Sequence, residues 1–240
     1  MQFMLIHVLD ESNELSPEVV AEVESSCAEW VDRCVGEKAN LQGSRICPSS
    51  DATTVKVRNG ETLVTDGPFI ETREQVAGYD ILECATLEEA LEWAAAHPTA
   101  LIGGIEVRPL MGDPVGQLPV GPEPGKTRYF MFVGVPNDLE LPPSDAAQMG
   151  PNTDAWVREM DSQGKRLVGR QLEGAQSART VRVKDGQVLI TDGPFAETKE
   201  LIAGFDILEC ADLDEATDAA SSHPIARFGA LELRPFWPGP

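Results

Sequence analysis

Hydrophobic and polar positions along this chain follow two periods, and each period predicts one kind of element. The run FMLIHVL near the amino terminus has the length and apolar content of a buried β-strand. The next segment places apolar residues at helical spacing from Val20 to Cys34, with Ser16 as its amino-terminal cap. Two alternating runs then meet at Asn59-Gly60, which predicts a β-hairpin with a type I′ turn.

Three further elements complete the first half of the chain. The run AGYDILEC predicts a strand, and the run IGGIEVRP predicts another. Between them a helix is expected to begin at Thr86, because Thr86 and Glu89 have the spacing of a capping box. The predicted order is therefore strand, helix, hairpin, strand, helix, strand.

The whole pattern occurs twice with a constant offset of 126 residues, since Asp66 matches Asp192 and 192 − 66 = 126. From Thr65 to Cys84, fifteen of twenty positions are identical to their counterparts. Solenoid repeats are only about 20–50 residues long, so this period indicates two whole domains. The predicted boundaries are residues 1–111 for the first domain, 112–126 for a Gly- and Pro-rich linker, and 127–240 for the second domain.

This pattern predicts an α+β fold. Neither face of the strand AGYDILEC is clearly polar, so helices must cover one face of the sheet and something else must cover the other. A second, similar sheet is the obvious cover. We therefore expect two ferredoxin-like repeats that form an intramolecular dimeric α+β barrel, a pseudo-dimer within one chain. The first helix of the second copy contains Gly150-Pro151, which predicts that it is broken or shortened.

Composition narrows the possible partners and location. The chain has 40 acidic and 19 basic residues and a net charge of -21, which argues against direct binding to nucleic acid. No apolar run reaches the length of a membrane span, and the amino terminus reaches acidic residues before any cleavage-like site. The five cysteines fit neither a disulfide framework nor a zinc ribbon. We expect a cytoplasmic protein with reduced thiols, monomeric as a pseudo-dimer, although further association stays open.

The repeated TDGPF turn has two interpretations. As a structural turn, Asp66 accepts backbone hydrogen bonds, Gly67 adopts a positive φ, and Phe69 anchors the loop. As a functional turn, Asp66 and its counterpart Asp192 act as general bases or ligand acceptors beside a cavity. In the functional interpretation the aromatic rings of Phe69 and Phe195 contact the ligand.

The histidines also have structural and functional interpretations. His97 and His223 each precede a proline at a predicted helix end, where an imidazolium would stabilise the helix dipole. Alternatively, each pairs with an aspartate of the turn as an acid–base couple. His7 lies in the first strand opposite Val133 of the other copy and is expected to be structural. With three histidines and no HxxxH, HxH or CxxC spacing, we expect no metal site and no cofactor.

The last strand of each copy carries a carboxylate and a guanidinium on one face. Glu106 and Arg108 are two residues apart, as are Glu232 and Arg234. They form either an internal ion pair or, through Arg108 and Arg234, a clamp for an anionic ligand.

The motifs TDGPF, ETREQVAGY, HP and EVRP together resemble the YCII-related, or DGPF-domain, family over both repeats. The resemblance implies a dimeric α+β barrel, and the family is similar to others with that barrel that hold small organic molecules between sheet and helices. Some members are linked with extracytoplasmic-function sigma factors. In single-domain relatives an acid–base role is suggested for a His and Asp pair whose His lies on the first helix. Neither first helix here contains a histidine, so that assignment does not carry over.

Three functions follow from these observations. The first is a protein that binds a small organic molecule or acts in regulation, with a sigma factor as a possible protein partner. The second is a cofactor-free isomerase, lyase or dehalogenase that uses Asp66 and His97 for proton transfer. The third is a purely structural protein. The first is favoured, because every candidate catalytic residue has an adequate structural role.

Overall fold

The computed structural model describes residues 1–13, 15–70, 72–196 and 198–239. For residues 40 and 41 within these ranges, only the backbone is described. The elements of the first repeat are β1 (Gln2–Asp10), α1 (Pro17–Gly36), β2 (Asn40–Arg45), β3 (Thr53–Arg58), β4 (Glu61–Asp66), β5 (Glu74–Glu83), α2 (Leu87–Ala96), α3 (Thr99–Ile102) and β6 (Gly104–Pro109). Those of the second repeat are β7 (Thr127–Pro136), α4 (Pro143–Ser162), β8 (Arg166–Gln171), β9 (Arg179–Lys184), β10 (Gln187–Asp192), β11 (Glu200–Cys210), α5 (Leu213–Ser222) and β12 (Ala230–Pro235). The α+β class is confirmed.

The chain forms two compact units, and each unit takes its hairpin from the other repeat. The first unit contains residues 1–48, 72–117 and 172–197, and its antiparallel sheet has the strand order β10-β9-β6-β1-β5-β2. The second unit contains residues 49–71, 118–171 and 198–240, with the order β4-β3-β12-β7-β11-β8. Each sheet therefore has six strands, four from one repeat and two from the other. The ferredoxin-like description and the barrel stay predictions.

The hairpins join their sheets through the strand that ends each repeat. In the first unit β6 pairs with β9, with Ile105 opposite Val181. In the second unit β12 pairs with β3, with Leu231 opposite Val55. The predicted type I′ turns are confirmed, because both central residues of each hairpin turn have positive φ angles.

Each unit buries a tryptophan of its long helix against one face of its sheet. Trp30 of α1 donates from its indole Nε1 to the carbonyl of Trp93, at 3.1 Å. Trp156 of α4 donates in the same way to the carbonyl of Ala219, at 3.0 Å. Around these rings the cores are aliphatic and aromatic, and buried cysteines such as Cys34 lie among them. The repeat thus preserves the helix-to-sheet packing.

The expected break at Gly150-Pro151 does not occur, because α4 and α1 both have 20 residues. Pro151 removes one backbone donor, but it lies on the exposed side of the helix. Trp156 and Met160 bury the following turns in the core, and that packing stabilises the helix. None of the described helices combines the length and apolar composition that a membrane span requires.

Candidate functional site

Two histidines and an aspartate meet in the interior of the first unit. His7 lies on β1, Asp80 lies on the adjacent strand β5, and His97 follows the last residue of α2. In the β1–β5 register, His7 is opposite Gly78 and Leu5 is opposite Asp80, so His7 and Asp80 are diagonal neighbours on one face. Their exposed fractions are 7% for His7, 6% for Asp80 and 4% for His97. The cluster is therefore largely shielded from water.

The contact between His7 and Asp80 is short but poorly aligned. His7 Nε2 lies 2.9 Å from Asp80 Oδ2. Even so, Nε2 is a buried atom that has no hydrogen-bond partner among the described residues, because the carboxylate oxygen lies off the axis of its N–H bond or lone pair. The other ring nitrogen, Nδ1, lies 3.5 Å from Thr99 Oγ1.

Asp80 fits against the neighbouring strand only because residue 43 is a glycine. A Cβ atom on Gly43 would overlap the Asp80 carboxylate. Gly169 and Asp206 have the same relation in the second unit. Both repeats therefore build the same recess for a buried carboxylate.

His97 is held as a neutral imidazole. Its Nδ1 accepts a hydrogen bond from the backbone N–H of Thr99 at 3.1 Å, so in the neutral ring Nε2 carries the hydrogen. Burial, followed by the neighbouring His7, lowers the pKa of His97 to about 2. The expected imidazolium at the helix end is therefore wrong. The ring instead caps the turn that follows, and it packs edge-on against Trp30 with centroids 4.5 Å apart.

His97 also approaches the other two members of the cluster. Its Nε2 lies 3.9 Å from Asp80 Oδ2, and its ring centroid lies 4.3 Å from that of His7. The structure thus places His97 near a carboxylate, at a distance longer than a hydrogen bond. That carboxylate is Asp80, not the aspartate of the TDGPF turn.

The second unit pairs its buried aspartate with an arginine. Arg166 Nε lies 2.6 Å from Asp206 Oδ1, and Val133 occupies the position that corresponds to His7. Burial raises the pKa of Asp206 to about 6, although Arg166 acts in the opposite direction. His223 accepts a hydrogen bond from the backbone N–H of Ile225 at 3.2 Å. The first repeat therefore pairs its aspartate with a titratable side chain and the second with a permanently charged one.

The aspartates of the TDGPF turns lie on the surface. Asp66 and Asp192 are exposed at the ends of β4 and β10, and Asp192 pairs with Arg179 at 3.0 Å. Gly67 and Gly193 have a φ of 96°, which favours glycine. These observations fit the structural interpretation of the turn. A catalytic role for Asp66 and Asp192 stays a prediction.

The turns are anchored by the glutamates of the last strands. In the second unit the backbone N–H of Phe69 donates to Glu232 Oε2 at 3.0 Å. In the first unit Phe195 donates to Glu106 Oε2 at the same distance. The TDGPF and E-x-R-P motifs are thus two halves of one contact, which holds each hairpin on its sheet.

The arginines of the last strands form the internal ion pairs that their spacing predicts. Arg108 Nε lies 2.9 Å from Glu106 Oε1, and Arg234 Nε lies 3.0 Å from Glu232 Oε1. Both guanidinium groups are buried. A ligand-binding role for Arg108, Arg234, Phe69 and Phe195 stays a prediction.

A groove of about 300 Å³ lies in the second unit beside Trp156. Trp156 and Phe228 form apolar walls, and Asp145, Glu159 and Arg227 add charged groups. The corresponding residues of the first repeat differ in character, since Val19 stands for Asp145 and Leu101 for Arg227. The groove therefore has a charge pattern that only the second repeat encodes.

Two comparisons with known proteins bear on identity. The family model for the YCII-related domain matches residues 1–112 and again residues 129–238. The chain belongs to the YCII-related domain family. An uncharacterized protein of Rhizobium meliloti (strain 1021) is 44% identical over 80 residues, which are 32% of this chain. That match spans 63% of the relative's length.

The double YCII-related match confirms two tandem copies, yet sequence reasoning missed two members of the first-unit cluster. The position of His7 in an apolar strand predicts a structural role, and Asp80 lies in none of the motifs TDGPF, ETREQVAGY, HP and EVRP. One available signal was Asp80, the charged residue inside the run GYDIL, which recurs as GFDIL with Asp206. A buried charge needs a partner. Residues on the neighbouring strands are candidates for that partner, namely His7 for Asp80 and Arg166 for Asp206.

Replacing His223 with Asn should make this YCII-related chain less sensitive to acid. Burial lowers the pKa of His223 to about 4, from its ordinary 6.5. As the pH falls, His223 therefore binds a proton in the unfolded chain before it does so in the folded chain. The stability that depends on a neutral His223 is complete above pH 6.5 and is lost as the pH falls to 4. At about 1.4 kcal/mol per pKa unit, the loss is roughly 3 kcal/mol. Urea midpoints near neutral pH and near pH 4 measure it.

Asn is the informative replacement because its side-chain oxygen can still accept from Ile225 N–H. Leu at the same position removes that acceptor and should lower the midpoint at both pH values. The titration of Asp206 changes the stability in the opposite direction, but Asp206 is present in all variants and does not affect their comparison. An Asn variant that loses as much stability in acid as the parent protein contradicts the assignment.

Proposed function

We propose that the chain binds a small organic molecule, and that the groove beside Trp156 is the binding site. The observation that carries this proposal is the combination of aromatic walls and opposite charges around about 300 Å³. Ligand pockets in proteins are mostly apolar with a few polar groups that orient the ligand, and their volumes begin at about 300 Å³. The groove has a volume at the lower end of this range and a more evenly mixed apolar and polar lining, and it suits a small ligand.

The groove wall that Trp156 forms is firmly held. The indole Nε1 of Trp156 donates to the Ala219 carbonyl at 3.0 Å and to Ser222 Oγ at 3.1 Å. The Trp156 ring also packs edge-on against His223, with centroids 4.6 Å apart. An aromatic ring that is fixed on several sides is a preorganised part of the groove lining.

The charges of the groove favour a ligand that carries both signs. Arg227 supplies a cation for an anionic group, whereas Asp145 and Glu159 favour a cationic or hydrogen-bond-donating group. The Arg227 guanidinium carbon lies 5.4 Å from the Phe228 ring centroid, which keeps the cation beside the apolar wall. We expect a small zwitterion with an apolar ring.

A fragment screen by ligand-observed NMR tests the proposal. Zwitterionic ring compounds should bind and should perturb the Trp156 indole N–H resonance. The double variant Asp145→Val/Arg227→Leu installs the residues of the first repeat and should weaken binding at least about tenfold, the effect expected of a lost charged contact. Val19→Asp/Leu101→Arg is the matched control. Binding that is unchanged in the groove variant contradicts the proposal.

A second candidate function is proton transfer on a small organic molecule in the first unit, without a cofactor. The contact of 2.9 Å between His7 Nε2 and Asp80 Oδ2 favours it, because a carboxylate beside an imidazole stabilises the imidazolium that forms when the ring accepts a proton. This candidate retains the predicted acid–base role of His97 but replaces Asp66 with Asp80. A sigma-factor partner stays a prediction that rests on the family resemblance.

A further inference from the structure

The first-unit cluster contains the side chains that transition metals prefer. One ligand atom from each of His7, Asp80 and His97 lies within 4.8 Å of the other two, and all three residues are buried. Two imidazoles and one carboxylate are a recurrent donor set for zinc and for non-haem iron. The three residues come from separate elements, so no sequence spacing reveals the set.

One atom of the cluster points to a missing partner. His7 Nε2 is buried and has no hydrogen bond among the described residues, although it lies 2.9 Å from a carboxylate oxygen. A ring N–H directed at the carboxylate would donate to it, whereas a ring lone pair at this distance is repelled by the carboxylate unless a cation lies between them.

We propose that His7, Asp80 and His97 bind a divalent transition-metal ion, with zinc as the reference ion. Two ligand atoms that each lie about 2.1 Å from an ion and 2.9 Å from each other subtend roughly 90° at that ion. Such an arrangement places the oxygen well off the Nε2 lone-pair axis, in agreement with a contact that is short but not a hydrogen bond. Metal coordination therefore accounts for both the distance and the poor alignment.

The surroundings orient His7 for this role. Thr99 Oγ1 lies 3.5 Å from His7 Nδ1 and is placed to accept its hydrogen, which leaves the Nε2 lone pair directed into the cluster. His97 requires a larger adjustment. Its hydrogen must move from Nε2 to Nδ1, and the hydrogen bond from Thr99 N–H is then lost. The net value of one hydrogen bond is small beside the binding of a transition metal to three ligands.

The second unit shows what the same recess looks like when it is closed to metal. Val133 replaces His7 and removes one ligand, and the Arg166 guanidinium lies against Asp206 at 2.6 Å. A guanidinium in this position supplies the positive charge that a metal ion supplies in the proposal. Metal binding is therefore expected in the first unit alone. This inference is independent of the groove proposal.

Competition with a fluorescent zinc chelator tests the site on the full chain. Apo protein should bind a single equivalent of Zn²⁺ tightly. The variants His7→Gln, Asp80→Asn and His97→Asn should each bind at least roughly 100-fold more weakly, because loss of a ligand exceeds the 10–100-fold effect of losing its supporting residues. His223→Asn is the matched control and should bind as the parent protein does. Circular dichroism verifies folding, and each ligand is substituted separately so that one misfolded variant leaves two others.

Cobalt gives a second readout. The Co²⁺ form should show ligand-field bands of nitrogen and oxygen coordination, which disappear in the His97→Asn variant. Absence of a saturable site overturns the proposal and leaves proton transfer as the use of the cluster. The proposal is also overturned if all three ligand variants bind zinc as tightly as the parent protein, because the metal then binds elsewhere. A thiolate-to-cobalt charge-transfer band leads to the same conclusion.

Discussion

Replacing Arg234 with Met is expected to lower the free energy of unfolding by about 3–5 kcal/mol, the cost of breaking a buried ion pair by removing one partner. Arg234 is 0% exposed, and its Nε lies 3.0 Å from Glu232 Oε1. Glu232 also accepts from the backbone N–H of Phe69, so the uncompensated charge lies where the hairpin is attached. Urea unfolding followed by far-UV circular dichroism measures the loss.

The double variant Glu232→Gln/Arg234→Met provides the control. Gln is neutral and can still accept from Phe69 N–H, so the double variant should recover part of the lost stability. Arg108→Met tests the same contact in the first unit and should have an effect of similar size, since Glu106 holds Phe195 in the same way. If the double variant is no more stable than Arg234→Met, the buried charge is not the cause.

Replacing His7 with Val is expected to cost about 2–3 kcal/mol, because the buried Asp80 carboxylate loses the polar ring nitrogen that lies 2.9 Å away. Val is the residue of the second repeat at this position, and Val133 packs into the core there. The loss should therefore come from Asp80 and not from poor packing. Chemical unfolding of the metal-free protein measures it.

The second repeat also suggests how to repair that variant. Arg166 corresponds to residue 40, and their backbones have matching registers, with Arg166 opposite Leu208 and Asn40 opposite Leu82. His7→Val/Asn40→Arg should recover most of the stability, with a coupling of about 1–3 kcal/mol between the two positions. Additive effects of the two substitutions contradict the view that both repeats build the same recess with different partners for the aspartate.

Much of the fold follows from local chemistry that the sequence displays. Asn59-Gly60 and Asp185-Gly186 adopt positive φ angles that few other dipeptides tolerate, and this preference predicts the hairpins. Ser16 caps α1 because its hydroxyl accepts from Val19 N–H. The constant offset predicts two alike repeats, which the six-stranded sheets confirm.

The features that were not predicted depend on tertiary contacts. The exchange of hairpins is decided by which last strand each hairpin pairs with, and β6 and β12 share the same E-x-R-P pattern. Strand β2 has little apolar alternation, and it pairs with β5 through backbone hydrogen bonds that any sequence can form. The continuity of α4 through Pro151 is likewise due to the packing of Trp156 and Met160.

The candidate site shows the same division. His97 was selected because the HP motif places a histidine at a helix end, but its chemical partner lies on a strand 17 positions earlier (97 − 80 = 17). His7 lies still further away in sequence. Spacing rules detect metal ligands that share one helix or one loop, and they cannot detect a set that β1, β5 and the end of α2 bring together.

The central claim is that the first repeat holds a reactive cluster and the second repeat its structural counterpart. The imidazole nitrogen resonances of the chain test this claim most directly. The chain has three histidines, so a long-range ¹H–¹⁵N spectrum assigns all of them. One equivalent of Zn²⁺ should shift the Nε2 signals of His7 and His97 and leave those of His223 unchanged. If His223 responds as strongly as His7 and His97, or if no histidine responds, the two repeats do not differ in the way proposed.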